Sequence, residues 1–163
     1  MKYLISEKLI ELIQVRIHEE QISSYIYEAM AIYLGNRGFT GAAKLWNSYS
    51  KEELIHKGWG VSLLNDLDIL PETRAIPAQS EIYAGLVDII NKSYEHEVLI
   101  AQQCNELFTT ALEEGCGMVT QLALKYQAEQ VEDIGKMTYW LDRLEAFGDN
   151  PTELRLLDNE MGG

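Results

Sequence analysis

Glu53-Leu54-Ile55-His56 sets a carboxylate and an imidazole three residues apart inside a long apolar-periodic segment. On a helix such a pair lies about 60° apart on one face, so both side chains can reach one metal ion. In a four-helix bundle, a Glu-x-x-His pair and a Glu from each neighbouring helix can build a di-iron carboxylate site. Glu20, Glu97 and the cluster Glu129, Glu132 and Asp133 stand where the other three helices would have to supply those ligands. Each of these acids, taken singly, also fits a solvated helix face. Several carboxylates turned inward together would need a metal, because an unpaired charge in a bundle core is prohibitive.

Four helices must carry them. Apolar residues at Leu9, Leu12, Ile13, Ile17, Tyr27, Ala31 and Leu34 follow helical spacing from about Ser6 to Leu34. Gly35-Asn36-Arg37-Gly38 stops that run, and a second helix is expected from about Thr40 to Asn65. A stretch with Asp66, Asp68, Pro71 and Pro77 follows. Ser80 is the expected cap of a third helix opening at Ser80-Glu81. Gly115-Cys116-Gly117 separates it from a fourth helix reaching about Phe147. Beyond Gly148-Asp149-Asn150-Pro151, Thr152 to Met161 has enough Leu for one short terminal helix.

Glu20, Glu53, Glu97 and Asp133 each fall near the middle of their helix, so two hairpins would bring them to one height. The segment between helices two and three, about 14 residues, can span roughly 46 Å, and a helix of some 28 residues is about 42 Å long. The segment can therefore run the length of the bundle, giving two hairpins joined by one long crossover. The expected architecture is all-α, one domain over 1–163, with the bundle at about 6–147 and the short helix at about 152–161.

Composition agrees. The chain has 163 residues, three prolines and 47% apolar residues, enough for one full core. A formal charge of −13 argues against nucleic acid and suits a protein that attracts cations, or simply a solvated acidic surface. The two cysteines, Cys104 and Cys116, form no CxxC pair and read as reduced helix-face residues. With Glu7 and Glu11 in the first amphipathic turns, no signal peptide is expected. No uncharged stretch approaches the ~18 residues of a membrane span, so the expected location is cytoplasmic.

Four stretches, in order, resemble bacterial-type non-haem ferritins over nearly the whole chain. They are Glu20-Gln-Ile-Ser-Ser-Tyr-Ile-Tyr27, Glu52-Glu53-Leu-Ile-His56, Tyr94-Glu95-His96-Glu97 and Tyr126-Gln-Ala-Glu129-Gln130-Val-Glu132-Asp133. The resemblance implies that Glu20, Glu53 and His56 hold a first iron. Glu53 would bridge to a second, completed by Glu97 and Asp133. Glu52, Glu129 and Glu132, with Asp133, would form a third iron site. Tyr27 would stand beside the first iron and Gln130 near the pair. Two positions depart from the family pattern: Asp133 replaces a Glu, one methylene longer, and Lys125 replaces a Trp common before the helix-four motif.

The implied activity is that of a ferroxidase and iron store, oxidising Fe(II) with O2 or peroxide and keeping ferric oxyhydroxide inside a cage. Carboxylates with a single His suit Fe(II) and Fe(III). The terminal helix resembles the one lining four-fold axes in ferritin shells, implying a homo-oligomer of about 24 copies in closed point-group symmetry. Glu113 and Glu114, near a helix end, are candidates for a channel. Haem is not expected, because Leu54 follows the bridging Glu where bacterioferritins place a haem-ligating Met. Gln130-x-x-Asp133 also stands where they, like rubrerythrins, repeat Glu-x-x-His. Mini-ferritins that protect DNA carry a helix-one His pattern that His18 does not complete.

Two other readings compete. One keeps the fold and a tight metal pair in a di-metal oxidoreductase or peroxide-detoxifying enzyme without mineral. The other is a plain four-helix interaction protein whose acids are all solvated. His18, His96, Trp46, Trp59 and Trp140 receive no role, and a helical offset of about 100° from Glu97 places His96 on an outward face.

Overall fold

A computed structural model of the chain describes residues 4–79 and 82–163. Five helices make up its regular structure: α1 (Glu7–Asn36), α2 (Thr40–Asp66), α3 (Leu86–Glu113), α4 (Gly117–Phe147) and α5 (Pro151–Gly162). Their ends are chemically legible. Ser6 Oγ accepts from the Leu9 N–H at the start of α1, and Asn150 Oδ1 accepts from the Thr152 and Glu153 N–H groups ahead of α5. Pro151 then occupies the first position of α5, where its missing N–H costs nothing.

Two antiparallel hairpins, α1–α2 and α3–α4, form the most extensive pairings, and α5 folds back onto α2. Residues 67–85 connect the hairpins. Ile69 packs into the core at one end of the bundle and Tyr83 into the core at the other, so the crossover runs its length. Gln14 fastens it to α1: its Nε2 donates to the Leu70 carbonyl at 3.1 Å, and its Oε1 accepts from the Glu72 N–H at 2.9 Å. The third helix begins at Leu86, later than the sequence pattern suggested. The proposed cap Ser80 and its neighbour Glu81 lie outside the described residues. Gly85, at φ 136°, precedes α3 in a conformation open to glycine but not to a side-chain-bearing residue. The Asp88 carboxylate accepts from the Ala84 N–H at 2.9 Å, turning the chain into the helix.

The α2 N-terminus has no side-chain cap of its own. Asp158 of α5 supplies one across space, its Oδ1 accepting from the Ala42 N–H at 2.8 Å. Gly41 is required beside it, since a Cβ there would lie 1.8 Å from the Asp158 carbonyl oxygen.

Two separate apolar cores fill the bundle. One gathers Tyr27, Leu34, Trp46, Ile90, Met137 and Trp140 with Leu157 and Met161 of α5. The other gathers Leu9, Ile13, Ile17, Leu64, Ile100, Leu107 and Tyr126. On each long helix, the residues between these two sets include a buried acid. Cys104 is buried in the second core and Cys116 half-buried, both as free thiols. Among the described residues, no helix is long and apolar enough to cross a membrane.

Candidate metal centre

Between the two cores lies a polar layer. Glu20 of α1, Glu53 and His56 of α2, Glu97 of α3 and Gln130 and Asp133 of α4 are all buried there, none more than 7% exposed. Tyr27 is fully buried beside them. Four solvated faces would leave these acids in water, so that alternative does not survive for this set. Glu52 and Glu129 are half-buried at the layer's edge, and Glu132 is exposed.

His56 joins two groups of potential ligands. Its Nδ1 lies 3.2 Å from Glu53 Oε2 and 3.8 Å from Glu20 Oε2. Its Nε2 lies 3.4 Å from Glu129 Oε1. The ligand atoms of Glu20, Glu53 and His56 lie within 4.8 Å of one another, as do those of His56, Glu129 and Asp133. Glu97 is held from both sides. The Tyr27 hydroxyl donates to its Oε1, and Gln130 Nε2 donates to its Oε2 and, at 3.0 Å, to its backbone carbonyl. Tyr126 donates to the His56 carbonyl at 2.9 Å, tying the His-bearing turn of α2 to α4.

The electrostatics are those of anions crowded out of water. Burial first, and then the neighbouring Glu20, Glu97 and Asp133, push the Glu53 carboxyl far above the ordinary range. Burial and Asp133 raise Glu97 to about 7, against the opposing bonds from Tyr27 and Gln130. Asp133 is raised as well, chiefly by burial. A divalent cation would oppose each of these upward shifts by giving the carboxylates a counter-charge.

A pH dependence follows. A carboxyl whose folded pKa is raised stabilises the fold most below its unfolded value and loses that contribution as pH climbs towards the folded value. For Glu97 the window is about 4.5 to about 7, and its span corresponds to roughly 3 kcal/mol. The metal-free protein is expected to lose melting temperature across that window, and saturating Zn(II) to flatten the curve. A flat metal-free profile would place these carboxyls in water.

Several neighbours carry no sequence signal strong enough to single them out. Arg16 is buried one turn before Glu20; its Nε and Nη2 lie 2.9 and 2.8 Å from Glu20 Oε1, and its Nη1 donates to Gln103 at 2.7 Å. Only the i,i+4 spacing hinted at the pair. Replacing Arg16 with Met strands the buried Glu20 charge, and a loss of about 3 kcal/mol in the metal-free protein is expected. Urea unfolding measures it, and a loss below about 1 kcal/mol would mean that Glu20 has another partner.

His96 does not face outward. Its Nε2 lies 2.7 Å from Ser23 Oγ and its ring meets Tyr27 edge-on. Burial and the nearby Arg16 lower its pKa to about 4, leaving it neutral. Helical offset alone missed this, because the covering residue comes from α1. Trp59 packs on His56, ring centroids 4.8 Å apart, and Lys125 sits 4.0 Å over the Trp59 ring. Lys136 Nζ lies 2.8 Å from both Glu52 Oε2 and Asp133 Oδ1. Burial opposes its charge, but those two carboxylates outweigh burial and hold its pKa above the usual lysine value.

The chain is similar to known proteins over nearly its whole length. The ferritin-like domain family model matches residues 10–147. A probable bacterial non-heme ferritin-like protein of Haemophilus influenzae is 30% identical over 159 residues, covering 98% of this chain and 96% of its own. The bacterial non-heme ferritin of Escherichia coli O157:H7 is 25% identical over 158 residues, covering 97% and 96%. Among solved structures, an open-pore ferritin from Archaeoglobus fulgidus superposes with a TM-score of 0.93 at 26% identity, covering 97% of this chain and 98% of that one.

Proposed function

The chain belongs to the ferritin family, and from that premise we propose that it is a cytoplasmic ferroxidase and iron store. The observation that carries the reading is the buried layer itself: four carboxylates and one imidazole, drawn from all four long helices, between two dry cores. Such a donor set suits Fe(II) and, once oxidised, Fe(III).

Iron is the substrate here. Glu20, Glu53 and the His56 Nδ1 atom would receive the first ion. Glu53 would bridge to a second held by Glu97 and Asp133. Glu129 Oε1 stands 3.4 Å from His56 Nε2, on the far side of the ring from the Nδ1 atom that faces Glu53 and Glu20. Tyr27 and Gln130 hold Glu97 in place before an ion arrives. Ion entry expels the protons that burial has kept on Glu53 and Glu97, so binding strengthens as pH rises towards 7. Each Fe(II) then gives up one electron. O2 takes both, with two protons, and leaves as hydrogen peroxide; peroxide as oxidant would take the same two electrons and two protons to leave water.

The store requires a shell. α5 is fixed onto α2 by Asp158 and Gly41 in a defined pose, as an element that lines an assembly axis must be. A groove of about 990 Å³ between α1, α2 and the crossover is lined in part by Tyr25, Leu54 and Val61, apolar surface that a second copy would cover in the proposed assembly. A closed homo-oligomer of about 24 subunits is the proposed assembly. Its charge of −13 per subunit would draw Fe(II) inward.

The deciding experiment is aerobic Fe(II) loading of metal-free protein, followed by size-exclusion chromatography with iron assayed in every fraction. Many irons per subunit, co-eluting with a very large particle, support oxidation and storage together. Two irons per subunit on a small oligomer would reject storage and favour a di-metal oxidoreductase or peroxide-removing enzyme.

A further inference from the structure

The resemblance to bacterial-type ferritins assigns Glu52, Glu129, Glu132 and Asp133 to a third iron. At that place this chain already holds a cation of its own. Lys136 Nζ bridges Glu52 of α2 and Asp133 of α4 at 2.8 Å from each, and lies 5.6 Å from the Tyr49 ring centroid. Of the other two acids, Glu129 is turned towards His56 Nε2 at 3.4 Å, and Glu132 is exposed.

We propose that Lys136 is a built-in counter-ion at the third position, so that each subunit takes up two Fe(II) and not three. This rests on the di-iron reading above and refines it. Three features support it. An ammonium supplies up to three donors, and two here are spent on the carboxylates that a third ion would require. Lys136 and Asp133 are i and i+3 on one helix face, so α4 holds the pair in register without help from the rest of the fold. Asp133, shorter by a methylene than the family's Glu, keeps its carboxylate close to its own helix and within reach of that lysine.

A divalent ion could enter only by displacing the ammonium, which would then remain as a positive neighbour on the same turn of helix. The consequence is functional. A third iron would be a stop between the pair and the interior, whereas a fixed ammonium leaves no such stop. Oxidised iron would pass directly from the pair to the store.

Crystals of the assembled protein, soaked anaerobically in Fe(II), test the idea through anomalous difference maps at the iron edge. The wild type should show two peaks per subunit, both within the layer of Glu20, Glu53, His56, Glu97 and Asp133. Lys136→Met should show a third, between Glu52, Glu129 and Asp133. Lys136→Gln provides the same comparison if the Met variant does not assemble. A third peak in the wild type, with Lys136 swung aside, would overturn the proposal, and so would two peaks in every variant. No peak at all near Glu20, Glu53 and His56 would instead reject the di-iron reading, and this inference with it.

Discussion

Glu53→Gln should lower the initial rate of Fe(II) oxidation by at least about 100-fold while raising the melting temperature of the metal-free protein by several degrees. The first effect follows from position. Glu53 is grouped with Glu20 and His56 and also feels the charges of Glu97 and Asp133, so on the proposed reading its carboxylate is the bridge between the two ions. An amide keeps the shape but offers one weak oxygen and no charge. Removing an outer-shell partner alone typically costs ~10–100-fold, and a shared ligand should cost more.

The second effect has the opposite sign, and the same burial causes it. In the metal-free protein Glu53 must carry a proton that it would not carry unfolded, and the penalty grows with pH above about 4.5. At pH 7 that penalty is roughly 3 kcal/mol at one pKa unit per ~1.4 kcal/mol. Gln carries no such penalty and can still donate to Glu20. Calorimetry at pH 5 and pH 7.5 separates the cases, because the gain should shrink towards the acid side. Unchanged oxidation would remove Glu53 from its bridging role. A lower melting temperature at pH 7.5 would mean that the acids do not crowd one another.

Gly41→Val should detach the terminal helix. The added Cβ would sit 1.8 Å from the Asp158 carbonyl oxygen and 2.9 Å from the Gly162 nitrogen, contacts that only backbone movement can relieve. If α5 moves, Asp158 no longer caps α2, and Leu157 and Met161 leave the core they share with Trp46 and Trp140. The expected loss is about 2–4 kcal/mol, the range for overpacking combined with a lost cap. Limited proteolysis should then cut between Phe147 and Pro151 while leaving the four-helix bundle whole. Asp158→Ala, which removes the cap and leaves the backbone contact, should cost about 1 kcal/mol and keep α5 protected. A Gly41→Val protein as resistant as the wild type would mean that α5 tolerates another pose.

Much of this was readable in the chain. Gly38, Gly115 and Gly148 mark the turns because their positive φ permits the reversal, and four of the five helices begin and end within two residues of where periodicity places them. The inward acids were legible because each interrupts an apolar stripe near mid-helix. The start of α3 was not, because Ser80 has the local chemistry of a helix cap and the helix begins only at Leu86. What prevents a helix there is tertiary: the Tyr83 ring stands 5.4 Å from that of Tyr33 on α1, and Gly85 breaks the chain direction. Partners on other helices were equally hidden. Lys136 reads as an ordinary surface lysine until α2 brings Glu52 beside it, and His96 as a solvated residue until α1 brings Ser23.

The division of the interior into two dry cores has a dynamic meaning. In the metal-free state the middle of the bundle is held by buried acids that must stay protonated or paired, whereas apolar packing holds the stretches on either side. Amide hydrogen exchange near Ser24, Ser50 and Gln130 should therefore be faster than at the apolar-packed turns of the same helices, through local openings that leave both cores intact. Bound ions would stitch the halves together and slow that exchange; their departure would loosen it again. On the proposed function, iron would enter and leave through such openings at the waist of the bundle, with both apolar cores still packed.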